Sequence, residues 1–325
     1  MKTVRCLVLL AAVGLGVTAQ ADPLPSWADT EARGRIIDFV TRVTDPESPD
    51  YVTPAARVAV FDNDGTLWSE RPVYFQFLFA IDRLREMAAD DPTILDSDVL
   101  RAAARGDMKA VVAAGEQGLL EILKVTHTGM TVAAFQQEVS DWIADATHPE
   151  TGLAYSAMVF QPMLELLRYL RDEDFSTYIV SGGGLHFMRA VTETLYGIPP
   201  ENVIGSAGET RYVVVDGVPQ LMKDPAIAFI DDKEGKPVGI DAKIGRRPIF
   251  AAGNSDGDFA MLEYTMAGDG LRFAMIVHHT DAEREFAYDR NSHVGRLDRG
   301  LVEGPDRGWL VVDVAADWER VWPEP

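Results

Sequence analysis

Thiols are almost absent from this sequence: its 325 residues include one cysteine, Cys6. That cysteine falls in an N-terminal stretch patterned like a secretory leader. Lys2 and Arg5 form a basic head, Cys6 to Val17 is apolar, and Ala19-Gln20-Ala21 is a small-x-small cleavage site. Residues 1–21 are therefore expected to be a signal peptide, removed on export to a periplasm or beyond the cell. The exported chain would hold no thiol, which excludes disulfides, cysteine nucleophiles and thiolate metal sites. Long apolar runs are a second lack. The leader is short for a bilayer span, and no other stretch approaches the ~20 residues that a span needs, so no membrane anchor is expected. Positive charge is the third. Lys and Arg number 30 against 51 Asp and Glu, a net charge of −21, and loss of Lys2 and Arg5 deepens it to −23. Such a surface repels nucleic acid and anionic lipid. It repels small anions as well, so an anionic ligand needs a metal or a few placed cations. Internal repeats and low-complexity tracts are also missing.

What is present is enough apolar material for a full core, with hydrophobic residues at 47%. Ser26 is positioned to cap a first helix that carries Ile36, Phe39, Val40 and Val43 at helical spacing. A short apolar strand follows, Arg57 to Phe61. From about Val73 to Asp145 the pattern is helical, with Thr131 as an N-cap for one of the helices. A strand–helix rhythm then resumes: helix 162–172 with Pro162 in its first turn, strand 176–181, helix 185–196. Residues 203–240 read as short strands and turns, with a hairpin signal at Asp216-Gly217. Strand 248–253, helix 258–266, strand 271–278 and a mixed segment 309–322 complete the chain. Alternating helices and wholly apolar strands imply an α/β fold, a Rossmann-like parallel sheet with helices on both faces. The core is expected over 22–67 and 156–325, with an inserted all-helical cap domain over 68–155. Ligands of such sheets bind at the carboxyl ends of the strands.

Three strand ends carry unusual polar residues. The first, 58-VAVFDNDGTLWSE-70, drives an apolar strand into Asp62 and Asp64. An Asx-rich turn is the plain explanation for two such residues. Two carboxylates at an apolar strand end are costly, however, unless a divalent cation lies between them, and hard oxygen ligands suit Mg²⁺. The second end is Ser181 with Gly182, Gly183 and Gly184, a hydroxyl and free backbone N–H groups suited to an anion. The third is 253-GNSDGD-258. Between them lies Lys243, in 241-DAKIG-245.

In this order, these segments resemble the haloacid dehalogenase superfamily of phosphatases. The resemblance spans Arg57 to about Met266, with the helical insert as the cap. It implies that Asp62 is the nucleophile, that Asp64 is the general acid and base, and that Ser181 and Lys243 clamp phosphate together with Gly182 and Gly183. Mg²⁺ is implied as the cofactor, held by Asp62, Asp64, Asn254 and Asp258. Dehalogenases lack the second aspartate, and P-type ATPases carry Lys in the signature, so a hydrolase of small phosphate esters fits best. The fourth motif usually begins Gly-Asp, whereas this chain has Asn254, so either the metal is held more weakly or Asp256 or Asp258 supplies the missing carboxylate. The insert and the Ser-Gly-Gly-Gly run resemble phosphoserine phosphatases, which carry a cap glutamate nine residues past the nucleophile. Here that position is Arg71, with Glu70 one residue earlier, so the likeness does not reach to phosphoserine specificity. Trp68, Tyr74, Phe75, Phe77 and Phe79 crowd the entry to the cap and are read first as packing of its core and hinge, with stacking of Trp68 and Tyr74 on a leaving group as the sharper alternative. Two rival readings stand beside the hydrolase: a non-catalytic binder of phosphate ligands with the same fold, and a phosphotransferase or mutase.

Overall fold

The computed structural model describes residues 22–324. The expected signal peptide, 1–21, lies outside them. Among the described residues, seven strands form one sheet in the order β4-β3-β2-β1-β5-β6-β7. They are β1 Val58–Phe61, β2 Ser176–Gly184, β3 Val203–Val215, β4 Val218–Phe229, β5 Phe250–Gly253, β6 Phe273–His278 and β7 Leu310–Asp313. Every pairing is parallel except β3 with β4.

Thirteen α-helices accompany the described sheet: α1 Glu31–Thr44, α2 Phe75–Asp90, α3 Asp98–Arg105, α4 Met108–Ala113, α5 Gly115–His127, α6 Val132–Asp145, α7 Gln161–Asp172, α8 Leu185–Arg189, α9 Thr192–Tyr196, α10 Gly235–Ile244, α11 Phe259–Met266, α12 Arg299–Glu303 and α13 Val314–Asp317. Helices α2 to α6 all fall between β1 and β2; α2 to α5 share a core of their own, built on Phe77, Ile81, Leu84, Leu100 and Ile122, while α6 sends Phe135, Val139 and Ile143 into the core beside the sheet. Thr131 caps α6 as expected, accepting from the Ala134 N–H. Ser26 does not cap α1, which starts at Glu31. Its hydroxyl and N–H donate instead to buried Glu165, at 2.7 and 2.8 Å.

Strand β1 is buried on both faces, which is why its sequence is apolar without alternation. Ala59 and Phe61 join the core on one side of the sheet; Val58 and Val60 join that on the other. Helix α1 covers the first side, with Phe39 against Phe250 and Phe273 at ring separations of 6.1 and 5.1 Å. Helices α10 and α11 cover the second through Ile240, Phe259, Met261 and Leu262. The chain enters and leaves the helical insert side by side: Ser69 N–H donates to Met158 O (3.0 Å), and Phe160 N–H to Leu67 O (2.9 Å).

Three segments differ from expectation, the first being Gly235–Ile244, which begins inside a stretch read as strands and turns and forms helix α10. Residues 203–229 are one long hairpin rather than short strands, turning at Asp216 and Gly217, both with positive φ (51° and 79°). Its far half leaves the sheet and is exposed, so no buried face imposes alternation on it. The helix expected over 185–196 is instead two short ones, α8 and α9.

Candidate active site

The first strand end is held in the ladder up to Asp62, whose N–H donates to Ala252 O (2.9 Å). Beyond it the chain coils on itself: the N–H groups of Thr66, Leu67 and Trp68 all return to Asn63 O. Gly65 makes this turn possible. Its φ is 73°, and a Cβ there would sit 2.0 Å from Asn254 Nδ2. The turn brings Trp68 back over Asp64, and the indole Nε1–H donates to Asp64 Oδ1 at 2.8 Å.

Asp62 is buried beside an ammonium group, but the lysine is not Lys243. Lys236, 2% exposed, donates to Asp62 Oδ1 at 2.7 Å and to Asp258 Oδ1 at 2.5 Å. Lys243 is exposed on the last turn of α10, seven residues or about 10 Å further along the helix. Both lysines share a helix face, but α10 leads into β5, so its C-terminal turn lies toward the amino edge of the sheet. The first turn is the one beside the carboxyl edge, where the aspartates are. That directional rule was available from the sequence, and it points to Lys236.

Ser181, 1% exposed, ends the regular part of β2 and accepts from Gly183 N–H at 3.2 Å. A Cβ on Gly183 would lie 3.3 Å from Asp64 Oδ2, so the glycine loop packs its bare backbone against that carboxylate. Gly182 is exposed at the loop's outer side. Gly184 N–H donates to Gln76 Oε1 of the insert at 2.7 Å, tying the loop to the cap.

The fourth motif is fully engaged. Asp258 accepts from the N–H groups of Asn254 and Ser255 through Oδ2 while Oδ1 holds Lys236, so it clamps the loop and the lysine and has no oxygen open to a metal. Asp256 accepts from the N–H groups of Asp298, Arg299 and Gly300 and anchors the start of α12, away from Asp62. Asn254 donates from Nδ2 to Glu70 Oε1 at 2.7 Å, and its Oδ1 accepts from Thr66 Oγ1 at 3.3 Å. Glu70 also accepts from the Tyr288 hydroxyl at 2.8 Å. A buried carboxylate therefore adjoins the position where the motif lacks one. The two residues are 184 apart in sequence, so no local pattern reports the pair.

Trp68 is 1% exposed, enclosed by Phe75, Phe187 and Tyr196. It has no free face for a leaving group, and the stacking expectation is set aside. Tyr74 is partly exposed, just before α2.

Electrostatics of the cluster are dominated by burial. Burial and the neighbouring Asp258 push Asp62 up to about 7, with Lys236 pulling against them. Burial raises Asp64 to about 6, opposed first by the Trp68 N–H. Glu70 is pushed well above the carboxylate range by burial, opposed by Tyr288 and reinforced by Asp64 and Asp62. Burial works against the charged form of Lys236, but Asp258 and Asp62 outweigh it and raise its pKa. Lys236 bonds two carboxylates, Asp62 and Asp258, and its charge also acts on Asp64, so negative charge on hard oxygen donors exceeds the one ammonium. That donor set fits a divalent cation of the Mg²⁺ type, which Asp62, Asp64 and Asn254 would hold.

A profile described as haloacid dehalogenase-like hydrolase matches residues 59–263, more than half of the chain. No curated protein matches it in sequence. Among solved structures, a functionally unknown protein from Anaerococcus prevotii DSM 20548 is 15% identical, over 77% of this chain and 86% of its own, with a TM-score of 0.51. A protein of unknown function from Bordetella pertussis Tohama I is 19% identical over 79% and 98%, with a TM-score of 0.46. A phosphoserine phosphohydrolase-like protein from Francisella tularensis subsp. tularensis SCHU S4 is 16% identical over 77% and 98%, with a TM-score of 0.37. At 15% identity the likeness to the Anaerococcus prevotii protein is one of fold. The profile covers β1 with its two aspartates, the Ser181 loop, Lys236 and the fourth motif in one continuous match, and the chain belongs to the haloacid dehalogenase-like hydrolase family.

Proposed function

We propose that this chain is an exported, Mg²⁺-dependent phosphomonoesterase that acts on small phosphate esters through an aspartyl-phosphate on Asp62. The observation that carries the reading is the pairing of Asp62 with Lys236 at the end of the central strand, with Asp64 held two residues on by Trp68. In the first step a carboxylate oxygen of Asp62 attacks phosphorus and the bond to the leaving alkoxide breaks. Asp64, protonated, gives its proton to that oxygen, a task suited to a carboxyl raised to about 6. In the second step Asp64, now ionised, takes a proton from water. The resulting hydroxide attacks phosphorus, the bond to Asp62 breaks, and inorganic phosphate leaves.

Lys236 steadies Asp62 and lies where charge develops on the transferring oxygens. Ser181 Oγ and the N–H groups of the glycine loop offer donors to the phosphoryl group. Mg²⁺, when bound by Asp62, Asn254 and the main-chain oxygen of Asp64, whose carboxyl stays free to carry its proton, would supply charge neutralisation between the carboxylates and the phosphate. Export follows from the leader pattern of residues 1–21 and accords with a scavenging role outside the cytoplasm.

The test is release of inorganic phosphate from a panel of monoesters, with and without Mg²⁺, by wild type and Asp62→Asn. Turnover that needs both Mg²⁺ and Asp62 supports the reading; no turnover of any ester with Mg²⁺ present refutes it.

A further inference from the structure

Beside the Ser181 loop, where the cap meets the core, lies a buried lysine with no carboxylate partner. Lys223 sits on β4, and its backbone is pinned to the cap. Its N–H donates to Met130 O (2.9 Å), and its O accepts from Gly129 N–H (3.1 Å). The side chain is 7% exposed. Nζ donates to His186 Nδ1 at 3.1 Å and lies 4.4 Å from the centroid of the Phe135 ring. Burial alone, unopposed by any carboxylate among the described residues, lowers its pKa to about 8. An ammonium buried against one imidazole and one ring leaves much of its desolvation cost unmet. Lys236, the other buried lysine of this region, shows the contrast, with two carboxylates on it.

The groups around Lys223 are neutral and can hydrogen-bond. Gln76 Nε2 is 3.1 Å from His127 Nε2, and the His127 ring lies 4.8 Å from that of Phe135. Burial lowers His127 to about 3 and His186 to about 4, so neither carries charge at neutral pH. Contacts therefore run continuously from the catalytic loop to the lysine. Gly183 lies on Asp64, Gly184 on Gln76, Gln76 on His127, His127 on Phe135, and Phe135 beneath Lys223. In phosphoryl transfer the leaving group departs roughly in line with, and opposite to, the nucleophile. With Asp62 at the end of β1, the leaving group departs at the carboxyl edge of the sheet, the edge where the glycine loop meets Gln76 of the cap.

We infer that Lys223, flanked by Gln76, His127 and His186, binds an anionic group carried by the leaving alcohol. The preferred substrate is then a phosphomonoester whose alcohol bears a carboxylate or a second phosphate. The inference rests on the phosphomonoesterase reading of Asp62 and Asp64. It also answers how a chain of net charge −21 would admit a multiply charged anion: the local cation is already in place, and among the described residues no carboxylate neutralises it.

The experiment compares kcat/KM for ethyl phosphate, 2-phosphoglycolate and ethylene glycol bisphosphate, three esters of similar size. The expected result is a preference of about tenfold or more for one or both anionic esters, the scale of one charge-assisted hydrogen bond. Which of the two is preferred separates carboxylate from phosphate recognition. Lys223→Met should cut that preference about tenfold, chiefly through KM, while Lys243→Met leaves it unchanged. Equal kcat/KM for neutral and anionic esters in the wild type overturns the inference without any variant having to fold. A preference that survives in Lys223→Met overturns it as well. If these three and every other ester of the panel go unhydrolysed with Mg²⁺ present, the phosphomonoesterase reading itself fails. Asp62-dependent hydrolysis with no anion preference sinks only the leaving-group inference.

Discussion

Trp68→Phe isolates one hydrogen bond. The indole is enclosed, with Phe75 at a ring separation of 5.0 Å and Phe187 at 6.2 Å, so a phenyl ring keeps most of the packing and loses the Nε1–H on Asp64 Oδ1. A hydrogen bond to a charged group contributes about 1.5–3 kcal/mol. Each 1.4 kcal/mol is about tenfold in rate, so loss of Asp64 orientation should lower kcat about 10- to 100-fold on alkyl esters. The Trp68 N–H favours the ionised form of Asp64, so removing it raises that pKa above its present value of about 6. Asp64 must hold a proton to release the alcohol. The basic limb of the kcat/KM profile should therefore move to higher pH in Trp68→Phe. An ester with a good leaving group, such as p-nitrophenyl phosphate, needs that proton less and should lose less activity. The assay is a pH series of phosphate release on both esters for both proteins. Equal losses on the two esters with an unmoved pH profile would show that Trp68 only packs, and would refute the reasoning.

Further outcomes follow from the same contacts. Lys236→Met leaves Asp62 and Asp258 buried without their ammonium, and urea unfolding should show a loss of about 3–5 kcal/mol together with abolished turnover. Asn254→Asp sets a second carboxylate against Glu70 Oε1, so Tm should fall in EDTA and recover with Mg²⁺ by more than the wild type gains. Lys243→Ala, on an exposed turn, should change stability by no more than about 0.5 kcal/mol and leave activity intact, which unfolding and phosphate-release assays check. Lys223 is charged below its pKa of about 8 and neutral above it, so the preference for anionic esters should fade as pH rises through about 8. If the leader is cut as its pattern implies, N-terminal sequencing of the exported protein starts at Asp22.

The parallel sheet was legible because strands buried on both faces are apolar without interruption, and β1 carries its two aspartates at the carboxyl end, where such sheets bind ligands. The β3–β4 hairpin was legible only at its turn, since its exposed half obeys no burial pattern. Lys243 was read in place of Lys236 because 203–240 was read as short strands and turns, so α10, whose first turn stands at the carboxyl edge of the sheet, was not anticipated. The Trp68–Asp64 bond crosses a tight turn, and the Asn254–Glu70 contact joins distant segments, so neither leaves a periodic trace. Lys223 becomes conspicuous only once burial shows that no carboxylate reaches it.

The central claim is a covalent phosphoryl group on Asp62, and rapid acid quench followed by peptide mass spectrometry tests it most directly. With Mg²⁺ and a turned-over ester, the account predicts a phosphoryl adduct on the peptide carrying Asp62, formed within the first turnover and absent in Asp62→Asn. Phosphate release in Asp62→Asn at the wild-type rate, or an adduct on any other residue, would contradict it.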